Sequence, residues 1–165
     1  MDKECYLVVS DIHGSDSGIE LVEKAIAYFK PISVLSAGDQ CPNYNHPLFS
    51  NMISVRGNCD SYYCYDALPF PPQYRTLNLF GRNTVMTHGD RYFYQDFDLC
   101  KGSIFIFGHS HVPHLENRNG IYLINPGSPS RPRSSSGATA ALIFPFGARI
   151  ISLLDFRYID ALDFS

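Results

Sequence analysis

Five short apolar runs, each closed by side chains able to bind a metal, constrain this sequence more than any other feature. Residues 6–9 lead into Asp11 and His13, residues 32–37 into Asp39, and residues 52–55 into Asn58. Residues 83–87 lead into His88, and residues 103–107 into His109 and His111. Apolar runs of this length bounded by turn residues read as buried strands. Ligand sites in α/β sheets lie beyond the carboxyl ends of the strands, so these side chains are expected to converge on one sheet edge. In Asp11-Ile12-His13, a chain that is still extended points residues two apart the same way. A carboxylate and an imidazole then face one point, and Gly14 permits a sharp exit.

The text between the runs sets the fold class. Ile19, Val22, Ile26 and Phe29 recur at helical spacing, with Glu20, Glu23 and Lys24 on the polar side. Ser17-Gly18-Ile19-Glu20 has the spacing of a capping box, and Pro31 stops the helix. Residues 75–80 and 83–87 read as a hairpin around Gly81-Arg82, and residues 114–118 and 121–124 as another around Asn119-Gly120. Residues 140–144 and 148–154 form a strand pair around Phe146-Gly147. Residues 40–50 are loop-like, including Cys41-Pro42-Asn43, with no pattern support for a short helix near Leu48. Residues 61–73 read as irregular, residues 92–100 as a short helix or loop, and residues 125–137 as a polar loop carrying Arg131 and Arg133. With no repeat or linker, a single domain over residues 1–165 is expected, of α/β (α+β) class with mixed strand pairing.

Composition excludes several classes of function. A formal net charge of −3 gives no electrostatic attraction for nucleic acid. Five Cys without metal-knuckle spacing suggest reduced thiols in a cytoplasmic protein. The charged start Met1-Asp2-Lys3-Glu4 and the short apolar run after it argue against a signal peptide or membrane span. Imidazole, carboxylate and amide oxygen, with no thiolate at the expected positions, suit Mn²⁺, Fe, Ni²⁺ or Zn²⁺ better than a Cys-rich structural zinc. Seven ligands exceed the needs of one tetrahedral ion and suit two ions sharing a carboxylate. Taken singly, Asp11 or Asp39 reads as a helix cap or turn residue and Asn58 as a turn, but four of the six His fall in these motifs. His46 and His114 read as loop or hairpin histidines, Cys5, Cys41, Cys64 and Cys100 as ordinary thiols, and Tyr62-Tyr63-Cys64-Tyr65 as packing.

In chain order, Asp11-x-His13, Gly38-Asp39, Gly57-Asn58-x-Asp60, His88-Gly89 and Gly108-His109-x-His111 resemble the calcineurin-like metallophosphoesterase superfamily. Val55-Arg56-Gly57-Asn58-Cys59-Asp60 and Asn125-Pro126-Gly127-Ser128 resemble its small single-domain bacterial and archaeal phosphodiesterase branch. The resemblance implies a two-sheet β-sandwich flanked by helices. It also implies two divalent ions, Mn²⁺ foremost. One would take Asp11, His13, Asp39 and His111, the other Asp39, Asn58, His88 and His109. Such ions, roughly 3.5–4 Å apart, share a hydroxide that attacks phosphorus in line with the leaving oxygen. Catalytic roles would fall to Asp39, Asn58 and Cys59, and phosphate contacts to Asn58, Arg131 and Arg133.

Two positions depart from the superfamily pattern. Many members read His-Gly-His where this chain has His88-Gly89-Asp90, and Asp90 is expected to orient a ligand imidazole or to repel substrate. Larger phosphatases have a His where Cys59 stands, although the small branch often has Cys. The expected function is a metal-dependent phosphodiesterase acting on a small phosphate ester. The alternatives are a phosphomonoesterase and a protein-interaction scaffold like the retromer vacuolar-sorting subunit, which resembles this branch. A homo-oligomer is compatible with the sequence.

Overall fold

The computed structural model describes residues 3–42 and 46–165; the readings at Met1-Asp2 and Asn43 lie outside the described residues. Two sheets carry the fold. The first orders β11 (Tyr158–Asp163), β10 (Gly147–Ser152), β9 (Thr139–Phe144), β1 (Tyr6–Val9), β2 (Val34–Ser36) and β3 (Met52–Ser54). The second orders β4 (Tyr74–Leu79), β5 (Arg82–Thr87), β6 (Ile104–Ile106), β8 (Ile121–Asn125) and β7 (His114–Arg118). Both are mixed: β1, β2 and β3 run parallel, as do β5, β6 and β8, and antiparallel strands complete each sheet.

Strand alternation explains the layers. Val8 packs with Leu35, Ile143 and Ile150 against Met86, Ile104, Ile106 and Ile124 of the second sheet. Leu7 and Val9 face the other way, onto Ile19, Val22 and Ala25 of α1 (Asp16–Phe29). Every residue of β2 and β6 is buried, as expected of parallel strands covered on both faces. The sandwich is thus flanked by few helices. The outer face of the second sheet carries Val85, Phe105 and Leu123 under Tyr94 and Phe97, with one short 3-10 turn, Tyr94–Asp96.

Several local readings need correction. The cap of α1 is Ser15, whose Oγ accepts the Gly18 N–H at 3.2 Å, whereas Glu20 pairs with Lys24 at 2.9 Å. Ser15→Ala should therefore cost about 1 kcal/mol, read as a lower urea midpoint; an unchanged midpoint would refute the cap. The first hairpin turns at Phe80-Gly81, one residue earlier than read, because both take positive φ (54° and 83°) and Arg82 pairs with Leu79. The β9–β10 turn likewise falls at Pro145-Phe146, since Gly147 pairs with Phe144. Short helices form at α2 (Pro47–Ser50), capped by His46 Nδ1, and at α3 (Tyr62–Tyr65), capped by Ser61. The last strand, β11, left no pattern in the sequence. It is an edge strand with exposed Tyr158 and Asp160, so burial did not impose strict alternation.

Candidate metal centre

The loops beyond β1, β2 and β6 share one conformation. Asp11 and His13 have φ of 60° and 51°, Asp39 and Cys41 53° and 45°, and His109 and His111 72° and 60°. The paired side chains therefore do not share a direction through strand alternation, as expected from Asp11-Ile12-His13. They do so through two left-handed residues separated by one other. Each such non-glycine residue costs on the order of 1–2 kcal/mol, and strain of this kind gathers at functional sites. Backbone bonds knit the loops together: Asp11 N–H to Gly38 O and His13 N–H to Asp39 O, both 2.9 Å, and Gly108 N–H to His88 O, 2.8 Å. Two glycines make room. A Cβ on Gly57 would overlap Asp39 Oδ1, and one on Gly108 would overlap Ser10 Oγ.

All seven proposed ligands meet at this edge. Asp11, Asp39, His88 and His111 form a buried floor, while Asn58 and His109 are exposed at the rim. His111 Nε2 lies 3.3 Å from Asp11 Oδ1 and 3.3 Å from His13 Nε2. His13 Nε2 is 3.7 Å from both Asp11 Oδ1 and Asp39 Oδ2. His88 Nε2 lies 3.3 Å from Asp39 Oδ2, 3.8 Å from Asp11 Oδ1 and 3.0 Å from Asn58 Oδ1. His109 Nδ1 is 3.1 Å from the same Asn58 oxygen. His88 Nδ1 donates to Ala37 O and His111 Nδ1 to Arg131 O, both at 2.7 Å, which directs each Nε2 lone pair inward.

The electrostatics favour positive charge. Burial alone would lower the His88 pKa, but its bond to Asp39 and the charges of Asp11 and Asp39 push it up to about 9. Burial likewise works to raise the Asp39 carboxyl. His88, the Cys59 N–H and His13 outweigh it and hold the carboxyl below its ordinary value. Asp11 Oδ1 is buried and accepts no hydrogen bond, while three imidazole nitrogens surround it. A buried carboxylate oxygen facing three nitrogens suits a cation, and the donors are those that divalent transition metals take. The residues therefore fit the metal that the motifs imply.

Supporting residues escaped the sequence reading. Asp60 accepts four bonds, from Asp39 N–H (2.9 Å), Gly57 N–H (2.8 Å), Cys41 N–H (2.9 Å) and Tyr65 Oη–H (3.0 Å). Ser10 Oγ donates to Asp11 Oδ2 at 2.6 Å, and Ser128 Oγ to the Asp11 carbonyl at 2.7 Å. Cys41, read as an ordinary thiol, is a free thiol at the border of the site. Its Sγ sits 3.9 Å from His13 Nδ1, and burial followed by the charges of Asp60 and Asp39 pushes its pKa far up. The signal was present, since Asp39-Gln40-Cys41 repeats the spacing of Asp11-Ile12-His13. Cys59 Sγ, expected at the site, lies near His13 and Asp39, so Cys41 is a second thiol at its border.

Of the remaining readings, Asp90 makes no bond to any imidazole and has no hydrogen-bond or ion-pair partner among the described residues, so the expected orienting role is not seen. His114 pairs with Glu116 at 2.8 Å on the exposed β7, and the hairpin reading holds. Arg131 and Arg133 are exposed beside the site. Their backbones hold the His111 loop: Arg131 O accepts from His111 Nδ1, and Arg133 N–H donates to His111 O. Neither guanidinium has a partner among the described residues.

The profile described as the calcineurin-like phosphoesterase superfamily domain matches residues 6–144. The chain belongs to that superfamily. The phosphodiesterase YfcE of Escherichia coli (strain K12) is 31% identical over 107 residues, covering 63% of this chain and 58% of that protein. The chain thus spans little more than half the length of that curated relative. The solved structure of YfcE, a phosphoesterase from E. coli, matches at TM-score 0.88 with 24% identity, covering 98% of this chain and 100% of that one. Vacuolar Protein Sorting 29 from Cryptosporidium parvum matches at TM-score 0.72 with 18% identity, covering 100% of both chains. Both structures show the same fold as this phosphoesterase-superfamily chain. Among the described residues, no helix is long and apolar enough to cross a membrane.

Proposed function

We propose that this chain is a binuclear, divalent-metal-dependent phosphodiesterase. The observation that carries the reading is Asp11 Oδ1, buried, without a hydrogen bond and ringed by His13, His88 and His111. One ion would be held by Asp11, His13, Asp39 and His111, and the other by Asp39, Asn58, His88 and His109, with Asp39 common to both. Bound there, the ions would supply Lewis acidity toward a phosphoryl oxygen and a water made acidic enough to act near neutral pH. Mn²⁺ is the proposed metal by resemblance to the superfamily; the imidazole, carboxylate and amide donors suit it together with Fe, Ni²⁺ and Zn²⁺. The diester preference rests on the named activity of YfcE. All five cysteines are free thiols, which supports a reducing cytoplasm, and residues 1–165 are read as one domain.

The chain's own residues bind and orient the ester. Asp39 is held by the Cys59 N–H at 2.8 Å on Oδ1, leaving Oδ2 toward the imidazoles. Asn58 stands at the rim between His88 and His109, at the mouth of the site. Arg131 and Arg133 offer exposed guanidiniums, which pair well with phosphate oxygens. Replacing both with Ala should raise KM and leave metal content unchanged; wild-type KM across several diesters would remove the role.

Cys59 is the proton-bearing side chain next to Asn58. Burial, then the charges of Asp39, Asp60 and Asp11, raise its pKa. A thiol with a reference pKa of about 8.5 or above is a weak acid for a departing alkoxide. Aryl esters should therefore outrun alkyl esters, and Cys59→His should help poor leaving groups most. A flat plot of log kcat/KM against leaving-group pKa would remove this role for Cys59.

The deciding experiment is hydrolysis of bis-p-nitrophenyl phosphate with Mn²⁺, before and after exhaustive chelation. Activity that follows the metal supports the enzyme; none under any metal favours the second reading. That reading, a protein-interaction scaffold, draws on the fold shared with Vacuolar Protein Sorting 29. The complete set of seven donors favours the enzyme.

A further inference from the structure

A cleft of about 420 Å³ opens beside His109, and Gly89 and Gly108 of the β5 and β6 exit loops line it. Its walls are aromatic: Phe93, Tyr94, Phe105 and Phe107. Phe105 and Phe107 are stacked at 5.9 Å and lead along one face toward His109, whose Nδ1 meets Asn58. A group lying on that stripe would end at the exposed rim of the metal centre.

On the rim of the cleft the Arg118 guanidinium is paired with the Glu116 carboxylate at 2.6 and 2.8 Å, and His114 Nε2 meets the same carboxylate at 2.8 Å. With that guanidinium engaged, the cleft suits an uncharged flat group better than a second phosphate. A cavity of a few hundred cubic ångströms with apolar walls and a few polar edges is the usual form of a small-molecule site.

We propose that this cleft holds a planar aromatic substituent of the phosphodiester, a nucleobase or other aryl ring, while the phosphate sits at Asn58 and His109. The proposal rests on the phosphodiesterase reading for the phosphate end. Phe93 is the exposed wall, 58% accessible, and marks the position where a ring would gain most by stacking. Ring-on-aromatic stacking corresponds to roughly tenfold to a hundredfold in affinity.

The test is direct binding by calorimetry to Mn²⁺-loaded protein, using phosphonates so that nothing is hydrolysed. Phenylphosphonate and the phosphonate analogue of adenosine monophosphate should bind roughly tenfold to a hundredfold tighter than methylphosphonate. The tighter of the two names aryl or base. Phe93→Ala, at an exposed position, should shrink that gap; Phe107→Leu, which keeps an apolar side chain, should shrink it as well. Equal affinity for all probes, or octylphosphonate ahead of the aromatic ones, would overturn the proposal. Hydrolysis of bis-p-nitrophenyl phosphate is measured alongside. An active enzyme with no aromatic preference overturns the cleft alone. An aromatic preference in an inactive protein supports the cleft and overturns the phosphodiesterase reading.

Discussion

Asp39→Ala should lower bound metal to at most one equivalent per chain and remove metal-dependent hydrolysis. Its Oδ2 lies 3.3 Å from His88 Nε2 and 3.7 Å from His13 Nε2, so it borders both proposed sets of donors. Its Oδ1 is held by the Cys59 N–H, which fixes the carboxylate between them. Losing a shared ligand should cost at least the roughly 10²–10³-fold in kcat that one lost transition-state contact costs. Asp11→Ala is the matching control. Asp11 Oδ1 stands closest to His111, at 3.3 Å, so that variant should lose chiefly the ion on the His13 and His111 side. The measurement is metal stoichiometry of purified variants, paired with turnover of an aryl diester. Two tightly bound equivalents in Asp39→Ala would end the shared-ligand assignment, whatever the activity.

Asp60→Ala should be the most destabilising single change near the site. The carboxylate is buried and accepts three backbone N–H groups and one phenol, two donors on each oxygen. Removing it leaves all four unpaired, at about 1–3 kcal/mol each before relaxation and water entry, for a net of about 3–5 kcal/mol. Asp60→Asn keeps the shape but turns an N–H donor toward donors, so it should also lose stability. Because two of the bonds position Asp39 and Gly57, metal affinity should fall by about 10–100-fold as well. Urea unfolding gives the first number and metal titration of the folded variant gives the second. Wild-type metal affinity in a folded Asp60→Asn protein would show that Asp60 only supports the fold.

The role of Asp60 shows where sequence reasoning stopped. The motif Gly57-Asn58-x-Asp60 was visible, and its Asn was assigned, but nothing local says which backbone an Asp will reach. Two of its donors, on Asp39 and Cys41, come from a distant loop, about twenty residues earlier in the chain. Cys41 went unassigned for a related reason. Its spacing from Asp39 matches that of His13 from Asp11, but a thiol in a Pro-containing loop carries no charge pattern to mark it. The helix cap slipped from Ser17 to Ser15 because two serines two residues apart compete for the same role.

What the sequence by itself determined was the set of candidate donors and their order. Each donor follows an apolar run, and apolar periodicity is a local signal that burial enforces on every strand of a covered sheet. The helix α1 and the Asn119-Gly120 hairpin were legible for the same reason, since spacing and turn chemistry act within a few residues. Only the tertiary structure decided how the donors meet. Asp11, His13, Asp39, His109 and His111 take left-handed backbone, which is costly for a residue with a Cβ. Bonds between loops and the absence of a Cβ at Gly57 and Gly108 hold them there. The cleft is likewise a tertiary product: Phe93 and Tyr94 lie far along the chain from Leu123, and become walls of one space only when the outer face of the second sheet is covered. Such strain is sustained by packing that over-determines it, and that packing is long-range, so no window of sequence contains it.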